Sequence, residues 1–151
     1  MDKYLNLTRT IEKEVSERAG EAIEERRSIK ELLQGKALKA LEEARALLDK
    51  SVEALLKKDY MELKRNLWLA SSNTEYAAFL LAKTLGEKPR ITLKNPVRGE
   101  GDLDGLLAYS IQNLEEAYFN LKRGGNLEAY KLVKTTRLTL TKLLELLEKK
   151  K

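Results

Sequence analysis

The sequence predicts an all-α protein: an antiparallel four-helix bundle made of two helical hairpins, with an additional long N-terminal helix. Three observations lead to this fold class. Apolar residues recur every three or four positions along most of the chain, which is the period of an amphipathic helix. The strict alternation that marks strands is almost absent. The 151 residues include only two prolines.

The length of the chain fits a single domain. A chain of 151 residues buries roughly 68–70% of the surface that its unfolded form exposes, so one core is enough. We expect four parts in this domain: an N-terminal helix (1–35), a first hairpin (36–86), a long loop (87–103) and a second hairpin (104–151).

The N-terminal helix is predicted over residues 3–34 and carries a narrow apolar stripe on one face, with charged residues crowding the opposite face. Such a stripe packs along the edge of a bundle or against a second copy of itself. Gly20 costs about 1 kcal/mol relative to alanine inside a helix, which leaves a kink or a break open there. The stripe consists of Leu7, Ile11, Val15, Ala19, Ala22, Ile29 and Leu33.

The first hairpin is predicted to begin after Gly35, which separates the N-terminal helix from a helix over residues 37–58. A tight turn at Lys57-Lys58-Asp59 should fold the chain back onto a helix over residues 60–85. Asp59 is the expected N-cap of that helix, because its carboxylate can accept hydrogen bonds from free amides of the first turn. Gly86 is expected to end the helix in a left-handed conformation.

The helix over residues 60–85 is expected to be the central helix of the bundle. A second apolar set, Tyr60, Trp68, Leu69, Tyr76 and Phe79, lies outside its main apolar stripe, so more than one neighbour should cover it. We expect the aromatic residues of the chain to pack in the core and between the hairpins. This set comprises Trp68, Tyr76, Phe79, Tyr109, Tyr118, Phe119 and Tyr130.

The loop over residues 87–103 contains both prolines and exceeds the usual helix–helix connection of about two to eight residues. It is either a crossover or a working loop, and Ile91, Leu93 and Val97 are expected to pin part of it to the bundle.

The second hairpin is expected to start at Asp102 or Asp104, either of which could cap its first helix. That helix should end at Gly124-Gly125. Asn126 is the expected cap of the last helix.

The absence of cysteine and histidine excludes several chemistries. Disulfides, zinc sites of Cys/His type, Ser-His-Asp and Cys-His nucleophiles and histidine bases are all ruled out. The enzyme chemistry that remains open is that of carboxylate, lysine, tyrosine or hydroxyl groups. The leading expectation is a non-enzymatic protein with no catalytic residue, no metal site and no cofactor. A carboxylate-metal hydrolase stays open, since carboxylates at helical spacing can bind magnesium. The pairs are Glu14 with Glu17, Glu21 with Glu24, and Glu145 with Glu148.

No apolar run approaches the roughly 20 residues of a membrane span, and the N-terminus MDKYLNLTRT lacks the apolar core of a signal peptide. These features predict a cytoplasmic protein with no membrane partner. The abundance of Lys, Glu and Arg, with little Met and no Cys, resembles the composition of hyperthermophile proteins.

A basic face is the main alternative to a purely structural surface. The net charge is +5, and several cations lie in the long loop and along the last helix. Thr135, Thr136, Thr139 and Thr141 lie among them and could donate to phosphate oxygens. This face is either solvated or binds nucleic acid. The candidate nucleic-acid-binding residues are Lys94, Arg98, Lys122, Arg123, Lys131, Lys134 and Arg137.

Residues 41–86 contain a turn, Lys58-Asp59-Tyr60, followed by a helix in which Trp68 precedes small residues. This segment resembles the helical hairpin of HEPN-type domains, including HEPN-like helical proteins of archaea. Ribonucleases of that family use an arginine followed by a histidine on a late helix. Here Arg137 could supply the arginine, but no histidine exists. The resemblance implies a non-catalytic member that dimerises and binds a protein, a nucleotide or RNA.

The function expected from the sequence is that of a non-enzymatic binding or scaffold protein that self-associates as a homodimer. The N-terminal helix is the expected dimer element, and a protein partner is also compatible with the sequence. The alternative is an RNA-, DNA- or nucleotide-binding protein that uses the basic face on the long loop and the last helix.

Overall fold

The protein is all-α, as the sequence predicts. A computed structural model describes residues 2–86 and 102–149, with the side chains of residues 10–86 and 102–149, and these ranges contain helices and turns but no strand. The long loop, including Ile91, Leu93 and Val97, lies almost entirely outside the described residues. The helices are α1 (Asp2–Leu56), α2 (Tyr60–Thr84), α3 (Leu103–Lys122) and α4 (Asn126–Glu148).

Helix α1 is a single 55-residue helix, so the predicted break at Gly35 was wrong and the chain does not break at Gly20, where a kink stays a prediction. Both glycines sit in helical backbone, and a Cβ added to either would meet nothing within 4 Å. A glycine weakens a helix by only about 1 kcal/mol, and the leucine, alanine, lysine and glutamate residues around Gly35 are strong helix formers that offset this cost. The described chain therefore has four helices where the sequence predicted five.

The chain divides into two units, Met1–Leu32 and Leu33–Lys151. The first unit is the N-terminal part of α1, in which every described side chain from 10 to 32 is exposed. The second unit contains the rest of α1 with α2, α3 and α4, and all the buried apolar residues of the described chain lie in it.

The core of the second unit combines large aliphatic residues with small residues along each helix. In α1, Ala37, Leu41, Ala44, Leu48 and Ser51 follow one another at intervals of three or four residues, and each is at most 1% exposed. Leucines of one helix can then fill the space that small residues leave on its neighbours. Leucine also alternates with small residues through Leu107, Ser110, Leu114, Ala117 and Leu121 in α3. The stripe of α2 has three small residues between two leucines (Leu67, Ala70, Thr74, Ala77 and Leu81), and that of α4 consists of Ala129, Val133, Thr136 and Leu140.

The buried hydroxyl residues behave as small core residues because each hydroxyl donates to a carbonyl of its own helix. The oxygen–oxygen distances are 2.8 Å from Ser51 to Leu47, 2.7 Å from Thr74 to Ala70 and 2.9 Å from Ser110 to Leu106. Four-residue back-bonding of this kind satisfies the donor without a partner on another helix. The core therefore contains polar side chains without requiring a polar network across it.

The first helix of each hairpin ends in the same pattern of backbone hydrogen bonds. The amides of Lys58 and Asp59 donate to the carbonyls of Leu55 and Ala54 at 3.1 and 2.9 Å. This is a Schellman motif, which places one residue in the left-handed region. Lys58 occupies that position with φ 56°, and Gly124 occupies it after α3 with φ 85°. The predicted tight turn at Lys57-Lys58-Asp59 is confirmed, and so is the left-handed glycine at Gly86, with φ 81°.

Side-chain contacts define which helices are neighbours and in which direction they run. Lys64 pairs with Glu148, and Glu75 pairs with Arg137. Positions that increase along α2 therefore match positions that decrease along α4, so these two helices run in opposite directions. The α1–α3 pair follows the same rule, because Tyr118 bonds Glu42 while Arg45 pairs with Glu115.

The N-cap predictions were confirmed at two helices and wrong at the third. Asp59 accepts from the Glu62 amide at 3.2 Å, and Asp102 accepts from the Gly105 amide at 2.8 Å. Helix α4 instead starts after Gly125, which has no capping side chain. Asn126 is only 7% exposed, because tertiary hydrogen bonds draw its side chain inward. Its amide nitrogen donates to Thr84 at 3.2 Å and its oxygen accepts from Gln34 at 3.0 Å.

Replacing Ala44 by leucine is expected to lower the free energy of unfolding by about 1–3 kcal/mol, since the extra methylenes overpack a fully buried position. Ala46, two residues along the same helix, is exposed, and its replacement by leucine is the matched control. Urea denaturation of both variants measures the difference. Equal stability of Ala44→Leu and Ala46→Leu would contradict the close packing assigned to Ala44.

Candidate functional site

Residues 10–32 of α1 present an exposed apolar stripe, which we call the N-terminal stripe and define by Ile11, Val15, Ala22, Ile29 and Leu32. These positions lie within about a third of the helix circumference at 100° per residue. Its four large side chains are 53–62% exposed. The stripe thus has the amphipathic pattern of a packed helix without burial by any described residue.

The two flanks of the N-terminal stripe differ in charge. Glu14, Glu17, Glu21 and Glu24 follow one flank at helical spacing, whereas the other flank is mixed, with Glu12, Arg26 and Lys30. A shallow depression on the acidic flank is lined by residues of this helix alone, including Glu21, Glu24 and Ile29. It encloses no site, because one helix cannot surround a ligand.

The seven residues predicted to bind nucleic acid do not form one group in the structure. Lys94 and Arg98 lie outside the described residues. Lys122 and Arg123, at the end of α3, lie over the rings of Tyr118 and Phe119 at 5.0 and 3.8 Å from the ring centroids.

The three predicted residues on α4 do not share one environment. Lys131 bonds Glu128 on its own helix at 3.4 Å. Lys134 and Arg137 turn towards α2 and line a groove between the two helices. Nucleic-acid binding by the whole set stays a prediction.

The threonines predicted to donate to phosphate have their hydroxyl hydrogens engaged elsewhere. Thr135 donates to the Lys131 carbonyl at 2.9 Å and Thr141 to the Arg137 carbonyl at 3.1 Å. Thr136 and Thr139 are fully buried. This part of the predicted basic face is wrong, because back-bonding within the helix competes for the same donors.

The groove between α2 and α4, which we call the α2–α4 groove, has a cavity volume of about 510 Å³. On the α2 side its lining includes the small side chains of Ala78 and Ala82. On the α4 side Tyr130, Lys134 and Arg137 follow one another at intervals of four and three residues, which places them on one face of the helix. The lining consists of Glu75, Ala78, Phe79, Ala82, Lys83, Gly86, Tyr130, Lys134 and Arg137.

Three cations and one carboxylate set the charge of the α2–α4 groove. Arg137 Nη2 lies 2.6 Å from a Glu75 oxygen, and this ion pair fixes the guanidinium at one end. Lys83 Nζ lies 5.0 Å from the centroid of the Phe79 ring, a cation–π distance. Lys134 is a third cation in the lining. The lining therefore combines an exposed ring, two alanine side chains, three cations and one carboxylate.

Sequence reasoning missed Phe79, Lys83 and Tyr130 as members of this group. The spacing of Phe79 and Lys83, four residues apart, could have paired them on α2. Their approach to Lys134 and Arg137 depends on which face of α2 meets α4. That choice is made by tertiary packing, which helical periodicity does not encode.

The outer face of α2 is aromatic and exposed, which corrects the prediction that these rings are buried. Trp68, Tyr76 and Phe79 are 63%, 47% and 57% exposed, and Phe119 on α3 is 54% exposed. The main apolar stripe of α2 is enough to pack it, so no second neighbour covers this face among the described residues. Only Tyr130 of the predicted aromatic core is buried, at 3% exposure.

A second cleft, of about 360 Å³, lies between α1 and α3 and includes Leu41, Arg45 and Phe119 in its lining. Burial disfavours the charge of Arg45, but hydrogen bonds to Glu115 and Asp49 outweigh this desolvation and raise the pKa of its guanidinium. The Tyr118 hydroxyl donates to Glu42 at 2.7 Å. These polar groups already have partners within the protein. Their hydrogen bonds and ion pairs connect α1 to α3.

Metal binding finds no support in the carboxylate positions. Within residues 10–86 and 102–149, no group of three or more Asp or Glu side chains is arranged to hold a metal ion. Glu148 is instead paired with Lys64. The acidic pairs on α1 lie on the exposed flank of a single helix.

Comparison with protein-family models, curated proteins and solved structures finds no match to this chain. The resemblance to HEPN-type domains therefore stays an expectation from residues 41–86. Among the described helices, none is long and apolar enough to cross a membrane.

Proposed function

We propose that this protein is a self-associating helical scaffold in which residues 10–32 of α1 bind the same residues of a second copy. The observation that supports the proposal is the N-terminal stripe: a helical segment whose large apolar side chains are 53–62% exposed although they follow a packing pattern. Helices draw most of their stability from burying such a face, and a lone helix is marginal in water. A partner helix would supply that burial.

The free energy available from burial is large enough for a stable pair. Fully burying one Val, Leu or Ile side chain contributes about 1.5–3 kcal/mol. Ile11, Val15, Ile29 and Leu32 supply four such side chains from each copy. Partial burial of this set is expected to exceed the cost of bringing two chains together.

Charge favours an antiparallel arrangement of the two helices. In a parallel pair each residue meets its own copy, which would set Arg18 against Arg18 and Glu25 against Glu25 within the seam. In an antiparallel pair with Ile11 opposite Ile29, Arg18 lies opposite Ala22 and Glu25 opposite Val15. Glu12 then lies across from Arg26 on the flank. This register removes both like-charge contacts from the seam and adds unlike contacts between Glu12 and Arg26, while Glu21 meets its own copy on the flank near the centre.

In this proposal the second unit is the folded domain that the assembly displays to other molecules. It has its own core of buried leucine and small residues, so its folding does not depend on the N-terminal stripe. Self-association would hold two such units in one assembly. Their exposed surfaces, including the aromatic face of α2, would then be available to other molecules.

Replacing both Ile11 and Ile29 by glutamate is expected to convert a dimer into a monomer, because two charges per copy would enter the apolar seam. Sedimentation velocity at micromolar concentration measures the change. The matched control is Ile23→Glu, since Ile23 is equally exposed, at 57%, but lies about 100° away from Ala22 around the helix. A wild-type chain that sediments as a monomer, or an Ile23→Glu chain that dissociates as fully as the double variant, would contradict the proposal.

The orientation can be tested by single cysteines, since the chain has none of its own. Chains with Ile11→Cys are expected to form a disulfide with Ile29→Cys chains in an equimolar mixture, and to form few disulfides alone. Non-reducing electrophoresis after mild oxidation measures both products. Efficient crosslinking of Ile11→Cys chains to one another would indicate a parallel pair and overturn the antiparallel register.

A further inference from the structure

The aromatic face of α2 extends along the whole helix on the side opposite its core stripe. Its members lie within about 80° of one another at 100° per residue, and all of them are exposed. Met61 and Trp68 are the most exposed of its large apolar side chains, at 86% and 63%. The face consists of Met61, Arg65, Trp68, Ser72, Tyr76, Phe79 and Lys83.

The spacing of this face is symmetric about Ser72. Its members follow one another at intervals of four, three and four residues on either side of that serine. A two-fold axis through Ser72 that reverses the helix therefore places every member level with a member of a second copy. The levels pair Trp68 with Tyr76, Arg65 with Phe79, and Met61 with Lys83.

We propose that the aromatic face of α2 binds the same face of a second copy in antiparallel orientation, with the two Ser72 residues at the crossing point. This contact is separate from the pairing of residues 10–32, because all its residues belong to the second unit. Each copy then has two surfaces for other copies, so association can extend beyond a dimer.

The centre of the face suits a close contact between two helices. The small side chain of Ser72 lets two helix backbones approach each other. Its hydroxyl donates to the Trp68 carbonyl at 3.2 Å, so covering it leaves no donor without a partner. On both sides of the crossing point Trp68 of one copy meets Tyr76 of the other, and aromatic pairs of this kind add stability beyond area burial.

The charges of the face also favour the antiparallel orientation. Arg65 is exposed, and among the described residues it makes no ion pair or ring contact. In the antiparallel pair it lies level with Phe79, where a guanidinium can stack on the ring. Glu62 comes within one residue of the level of Lys83 on the same flank. A parallel pair would instead set Arg65 against Arg65 and Lys83 against Lys83.

The area of the face is enough for a weak, specific pair. Since a fully covered aromatic side chain buries about 150–250 Å², the exposed fractions of Trp68, Tyr76 and Phe79 offer about 250–400 Å² in each copy. With Met61 and the side-chain stems of the two cations, the pair reaches about 1,200 Å² in total, the lower end for specific interfaces. Contacts of this size are typical of weak complexes, so we expect this pair at several hundred micromolar protein.

The fluorescence of Trp68 tests the proposal directly, because it is the only tryptophan of the chain. The measurement uses full-length protein with Ile11→Glu and Ile29→Glu, in which the N-terminal stripe cannot pair. Raising the concentration from micromolar to several hundred micromolar is expected to shift the Trp68 emission to shorter wavelength as the ring becomes covered. Sedimentation over the same range is expected to show a change from monomer to dimer.

Two further changes in this background separate the face from the rest of the surface. Tyr76→Glu is expected to abolish both the emission shift and the dimer, because a charge would enter the level of Trp68. The matched control is Phe119→Glu, since Phe119 is an equally exposed ring, at 54%, on α3. It should leave the emission shift and the dimer unchanged.

Single cysteines in the same background test the orientation. Chains with Ser72→Cys are expected to form disulfides with one another, because the two-fold axis brings these positions together. Chains with Met61→Cys are the control. Met61 is more exposed, but in the antiparallel pair it lies about 33 Å from its own copy along the helix. Non-reducing electrophoresis after mild oxidation is expected to show faster crosslinking of the Ser72→Cys chains.

Three results would overturn the proposal. The first is a Trp68 emission that stays the same up to several hundred micromolar. The second is an equal loss of the dimer in the Tyr76→Glu and Phe119→Glu variants. The third is crosslinking of Met61→Cys chains as fast as that of Ser72→Cys chains. A wild-type chain that is monomeric at micromolar concentration contradicts only the pairing of the N-terminal stripe, so the two proposals fail separately.

Discussion

The structure depends on one packing constraint: each helix of the second unit buries a stripe that combines leucine or valine with alanine, serine or threonine. The small positions, such as Ala44 and Ala77, are fully buried and leave room for the leucines of adjacent helices. The hydroxyl residues fit the same positions because Thr74 and its counterparts bond their own helix. The hairpin turns, the helix pairing and the α2–α4 groove all follow from which faces this packing buries and which it leaves outside.

The two units meet the need for burial in different ways. The second unit buries its apolar stripes in a core of its own. Its remaining features lie on the surface and are the aromatic face of α2 and the α2–α4 groove. The first unit has the pattern of a packed helix but no buried described side chain. The self-association that we propose would satisfy that pattern.

Much of the fold could be predicted because it is encoded locally. The 3.6-residue period gave the all-α class, Asp59 and Asp102 capped their helices as expected, and the Lys58 turn formed where charge and turn residues cluster. The errors came where tertiary forces outweigh local signals. Gly35 has helical conformation because its neighbours favour helix, and Asn126 is drawn into hydrogen bonds with Thr84 and Gln34 instead of capping.

The groove could be predicted only in part. Lys134 and Arg137 were recognised by their spacing on one helix face. Phe79 and Lys83 come from α2, and an apolar residue in a helix gives no sign of whether packing will bury it. We predicted from its aromatic character that Phe79 lies in the core, whereas it is exposed and lines the groove together with Ala78 and Ala82.

The most direct test of this account is amide hydrogen exchange of the full-length protein at two concentrations that span the expected dimerisation range. Exchange within residues 10–32 reports whether that helix needs a partner, and exchange within residues 33–56 of the same helix is the internal reference. The account predicts that protection of residues 10–32 rises with concentration while that of residues 33–56 stays constant. Protection of residues 10–32 that is the same at both concentrations would contradict it.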